Sequence, residues 1–124
     1  MRFMMIVKGD ESFDRSGPPP AALMAAIDQY GQDAAREGKL VSFGGLRRTA
    51  EGARVRITKG KIVTTDGPFT ETKEVIGGFS VMNLASREEA IQEAIKFMEL
   101  HRIHWPEWEG ETEVRPMYEE GEPL

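Results

Sequence analysis

Two stretches of this chain are apolar on both of the faces that a strand presents, and only two helices are available to cover them. In residues 3–8 the alternating sets are Phe3, Met5, Val7 and Met4, Ile6. In residues 77–84 they are Phe79, Val81 and Met82, Leu84. Successive strand side chains point to opposite sides of a sheet, so a strand with one wet face alternates apolar with polar. These two do not alternate, and the pattern is that of strands sheltered above and below.

The helices announce themselves by a different period. Between residues 21 and 37, Leu23, Ile27, Tyr30 and Ala34 step by four, three and four, which is one helix face, stopped by Gly38. Pro18, Pro19 and Pro20 stand just ahead and pre-set its first turn. Ser86 and Glu89 form a capping box for a second helix, along which Ala90, Ala94, Phe97, His101 and His104 keep one line until Pro106. Around these lie a strand at 2–8, another at 40–47, a third at 77–84 and a last one at 112–117. Gly44-Gly45 predicts a bulge or a close backbone approach within the second. A hairpin intervenes: Val55 and Ile57 alternate with Arg54 and Arg56, Lys59-Gly60 turns, and residues 62–65 return. With one apolar and one wet face, it is expected at an edge.

The fold class is therefore α+β, a ferredoxin-like β-α-β-β-α-β sandwich with an inserted β-hairpin. The 124 residues suit one domain, 1–124, with an acidic C-terminal tail from about 118. Two helices cover one face of a four-stranded sheet and no more. An apolar face of several hundred Å² left open is an association surface. The economical solution is a two-fold homodimer with the sheets packed face to face.

Charge narrows the function. The chain holds 16 basic and 21 acidic residues, and 7 of the acids fall from Glu107 onward with Arg115 as the one cation there. A balanced body with an acidic tail makes no field that gathers phosphates, so no nucleic-acid partner is expected. The absence of cysteine removes thiol catalysis and cysteine-ligated metal. The apolar run at residues 3–7 is too short for a membrane span or a signal core, so a cytoplasmic protein with no membrane partner is expected.

The segment Asp66-Gly67-Pro68-Phe69-Thr70-Glu71-Thr72-Lys73-Glu74, followed by Val75-Ile76-Gly77-Gly78-Phe79, is the most unusual. Pro68 cannot continue a ladder, so a rigid loop is expected: Asp66 accepting backbone N–H groups, Gly67 taking a positive φ, and Phe69 pinned into apolar surroundings. Glu71 and Lys73 share one side of the extended chain after it. A carboxylate beside an ammonium can serve as an acid–base pair or hold a polar ligand; equally, Asp66 caps a turn and the charges are solvated.

These fourteen residues resemble the signature of the DGPF proteins, a branch of the YCII-related family. Residues 2–8 and 37–46, together with Glu113-Val114-Arg115-Pro116, fit the same pattern. The resemblance implies a ferredoxin-like fold paired as a dimeric α/β barrel. Most DGPF proteins have no established activity, and their genes often stand beside extracytoplasmic-function sigma factors, which implies regulation. Some wider YCII relatives are thought to use a histidine–aspartate dyad. Its two positions fall here on Ile27 and on Trp105, ahead of Pro106, so that dyad does not transfer.

The two histidines, His101 and His104, are the one pair of side chains titrating near neutrality. At a spacing of three they can reach one metal, but two donors do not close a site and a helix C-terminus favours histidine without any ligand. No metal and no cofactor is expected. The candidate catalytic set is Asp66, Glu71, Lys73 and His101; the candidate ligand-binding set is Asp66, Gly67, Phe69, Lys73, Gly77 and Arg47. Arg47, Arg48, Arg54 and Arg56 form one basic cluster, read as pairing with the acidic tail of another subunit or holding an anion. Trp105 and Trp108 are expected to pack the return to the sheet, and the methionines to fill the core. Two functions remain: binding or acting on a small polar organic molecule in a pocket near the Asp66–Phe69 loop, or a non-enzymatic regulatory or interaction protein tied to sigma-factor control.

Overall fold

The structure, a computed structural model, describes residues 1–10, 17–69 and 74–124. Its elements run β1 (Arg2–Gly9), α1 (Ala21–Arg36), β2 (Leu40–Gly45), a 3-10 turn (Thr49–Glu51), β3 (Ala53–Thr58), β4 (Lys61–Asp66), β5 (Val75–Asn83), α2 (Arg87–His104) and β6 (Gly110–Pro116). Four strands form one antiparallel sheet in the order β2-β5-β1-β6, and β3-β4 form a separate two-stranded sheet. This is the expected α+β, ferredoxin-like arrangement, with both helices packed on one sheet face.

Local chemistry sets the boundaries. Gly38, at φ 74°, ends α1 in a conformation that side chains disfavour. Ser86 Oγ accepts from Glu89 N at 3.1 Å, and the Glu89 carboxylate accepts from Ala85 N at 2.9 Å, so both halves of the cap reach back to orphan N–H groups at the start of α2. Lys59 and Gly60 both take positive φ, as a two-residue hairpin turn requires.

Strand register sorts the side chains. Phe3 pairs with Met82, Met5 with Ser80 and Val114, and Val7 with Gly78 and Thr112, which places them on the inner face beneath the helices. Phe3, Met5, Met82 and Leu84 pack there with Ala34 of α1 and Ala90 of α2. Met4 pairs with Val81, and Ile6 with Phe79, on the opposite, outer face. Both faces of the two central strands are therefore apolar, and the helix layer covers the inner one.

Two expectations change. The bulge in β2 lies between Leu40 and Ser42, ahead of Gly44-Gly45. The glycines mark the close approach instead, because a Cβ on Gly78 would stand 3.1 Å from the Gly44 carbonyl oxygen. The hairpin does not join the edge of the main sheet. Among the described residues it pairs only with itself, and Ile57 is 78% exposed. Val55, Ile57 and Ile62 share one face of it, since Ile57 stands directly opposite Ile62 and Val55 opposite Thr64.

Candidate functional site

A cavity of about 530 Å³ lies between the helix layer and the inner sheet face. Small residues leave the room for it. Gly31 faces Phe43 from α1, while Gly44, Gly45, Gly77, Gly78 and Ser80 line it from β2 and β5, where larger side chains would fill the gap. Leu23, Met24 and Ile27 of α1 form one wall; Ala94, Phe97 and His101 of α2, with Trp105 just after it, form another. The helical stripes foreseen in the sequence thus point inward, but part of each faces empty space instead of core.

Two polar centres interrupt the apolar lining. The first is Glu93, which is 4% exposed. Its carboxylate accepts from the Tyr30 hydroxyl by a short hydrogen bond, from Lys39 Nζ at 3.3 Å and from Lys96 Nζ at 3.2 Å. Burial works to raise its pKa, but the hydrogen bonds from Tyr30, Lys96 and Lys39 outweigh it and hold the carboxyl below its ordinary value. Burial and the adjoining Glu93 push the Tyr30 phenol well up, so it stays protonated and donates. Lys39 is pushed up to about 12 by its bonds to Glu37 and Glu93. The group is an ionised, fully partnered carboxylate in the cavity wall.

The second centre is His101, 7% exposed. Nδ1 lies 2.9 Å from the Phe97 carbonyl oxygen, so that nitrogen carries the proton and donates. Burial lowers the pKa of the imidazole, against a smaller opposing effect of the Phe97 bond. A neutral ring with its Nδ1 committed leaves Nε2 as a lone-pair acceptor. Phe97 stands 4.9 Å from the ring on one side and Trp108 4.7 Å on the other, and Trp105 continues the stack from Trp108 at 6.2 Å. Trp108 is seated on Gly110, where a Cβ would fall 2.2 Å from its indole.

The other sequence candidates fall in several places. Arg47 and Gly77 line the cavity rim with Arg48 and Glu51, and Arg47 pairs with Glu51 at 3.2 Å. Asp66 is exposed at the end of β4, away from the lining; Pro68 has no N–H for it to accept two residues on. Gly67 is a packing point, because a Cβ there would lie 1.7 Å from the Thr49 carbonyl oxygen, and its N–H donates to Gly52 O at 2.9 Å. Its φ is not positive. Phe69 carries the Arg54 guanidinium on its ring at 3.8 Å. The described part of the loop, residues 66–69, therefore packs through Gly67 against the turn that carries Glu51. Glu71 and Lys73 lie outside the described residues. His104 ends α2 and is not among the lining residues, and among the described residues no three His, Cys, Asp or Glu side chains are grouped to hold a metal ion.

With this geometry in hand, the chain can be compared with known proteins. The model of the YCII-related domain matches residues 1–97. The chain belongs to the YCII-related family. An uncharacterised protein of Rhizobium meliloti (strain 1021) is 37% identical over 87 residues, covering 68% of this chain and 66% of that protein. In this YCII-related protein Ile27 and Trp105, which stand at the dyad positions implied by the sequence resemblance, both line the cavity. At those two positions the cavity wall carries an aliphatic side chain and an indole. Its polar groups, Tyr30 and Glu93, escape a reading by motif. Their trace is a glutamate beside Ala94 on the buried stripe of α2, where solvated acids do not belong.

Among the described residues no helix is long and apolar enough to cross a membrane.

Proposed function

We propose that this YCII-related protein binds a small, mostly apolar organic molecule in the cavity between its helix layer and its sheet. The observation that carries this reading is the cavity itself: about 530 Å³, walled mostly by aliphatic and aromatic side chains, with Tyr30–Glu93, His101, Ser80, Thr112 and the rim of Arg47, Arg48 and Glu51 as the polar groups among the described residues. That size and sparse polarity are those of small-molecule sites. A void of this kind in a core destabilises a protein, so its retention favours an occupant. Compared with the polar molecule expected from the loop, the walls call for more carbon and fewer charges.

Xenon tests the reading. In a crystal pressurised with xenon, the gas is expected between α1 and β5, because dry apolar cavities take it up. A space filled by side chains, or by ordered water held on the polar groups, overturns the proposal.

We also infer a two-fold homodimer through the outer sheet face. Met4, Ile6 and Phe79 lie on that face, away from both helices.

A further inference from the structure

We infer that the occupant of the cavity is an uncharged aromatic ring bearing a hydroxyl group, with that hydroxyl donating to His101 Nε2. This rests on the cavity reading above and gives it a chemical class.

The ring follows from the wall. Tyr30 of α1, Phe97 and His101 of α2, and Trp105 after it line the cavity, joined through Trp108 behind them into a continuous series of tilted and stacked rings with neighbouring centroids 4.7 to 6.2 Å apart. Flat partners pack best against such a series, in offset or edge-to-face contact.

The lack of charge follows from Glu93. It is buried, ionised and already satisfied by Tyr30, Lys39 and Lys96. An anion placed beside it is repelled in a medium of low dielectric, and a cation meets the Lys39 and Lys96 ammonium groups that already neutralise that carboxylate. Arg47 is engaged with Glu51 at the rim.

The hydroxyl follows from His101. More than nine-tenths buried, with Nδ1–H given to the Phe97 carbonyl, it has no protein donor on Nε2 among the described residues. A buried acceptor of this kind calls for a donor. His101 lines the cavity, so a hydroxyl on the occupant can donate to Nε2 there.

Phenol and toluene differ by this one group, and their affinities for wild-type protein and for His101→Phe form a closed cycle. The expected result is that His101→Phe weakens phenol by roughly tenfold relative to toluene, the worth of one buried hydrogen bond. His101→Gln, which keeps an acceptor near the position of Nε2, is expected to retain most of the phenol affinity and carries the test should the Phe variant fail to fold. Equal effects of the substitutions on both probes overturn the hydroxyl assignment and leave the cavity reading standing. Binding of neither probe to the wild type removes both.

Discussion

Tyr30 and Glu93 show how one buried acid organises its surroundings. The Tyr30 hydroxyl supplies one of three hydrogen bonds that keep Glu93 ionised where water cannot reach it. Tyr30→Phe deletes that bond without changing the shape of the ring. It is expected to destabilise the fold by about 1.5–3 kcal/mol, the range for hydrogen bonds to charged groups, as measured by urea denaturation. His101 makes a separate contribution with a definite sign. Its folded-state pKa is below the ordinary 6.5, so the unfolded chain takes up the proton first as pH falls. Stability is complete above that value and declines as pH drops through it toward the folded-state pKa. His101→Phe is expected to flatten the fall in melting temperature between about pH 7 and about pH 5; an unchanged slope would place the titration elsewhere. Glu93, held below its ordinary 4.5, acts in a lower window, its contribution being lost as pH falls through its own folded-state value. At this scale the sequence was legible in part. His101 stood out because few side chains titrate near neutrality. Tyr30 did not, since its place in an apolar stripe hid the hydroxyl. Gly67 stood out through the rarity of its motif, and the close backbone approach it makes to Thr49 is one that only distant pairing reveals.

At the level of elements, the hairpin and the turn beneath it act as a brace for the cavity rim. Gly67 presses on Thr49, and the same turn carries Glu51, which holds Arg47 at the rim. Gly67→Ala forces a Cβ into the Thr49 carbonyl and is expected to cost about 1–3 kcal/mol through displaced backbone. Thermal unfolding checks it, and a change of under half a kcal/mol would show that the turn yields freely. The periods of three and four in α1 and α2, the Ser86 cap and the Lys59-Gly60 turn were all readable from sequence because each is fixed by neighbours in the chain. The hairpin's separation from the main sheet was not. Which strands pair is decided by contacts between distant residues, and alternation alone gives an edge strand and a free ribbon the same pattern. A two-stranded ribbon is marginal by itself in water, so the exposed Val55, Ile57 and Ile62 face is an element awaiting cover.

For the molecule as a whole, the doubly apolar strands stated from the outset that the sheet needs shelter on two sides, and the structure supplies it on one. The proposed partner is a second copy. In sedimentation velocity a two-chain species is expected, and Ile6→Lys with Met4→Glu, on the outer face, is expected to return it to one chain without unfolding it. A wild-type monomer at high concentration would remove the dimer and leave the cavity, which sits on the opposite face. The central claim is that this inner cavity takes a ligand, and methyl NMR tests it most directly. On titration with toluene, the methyl signals of Leu23, Ile27, Met82 and Ala94 are expected to move together and saturate, while those of Met4, Ile57 and Ile62 stay in place. Movement confined to the hairpin and the outer face, with the cavity methyls silent, would contradict the account.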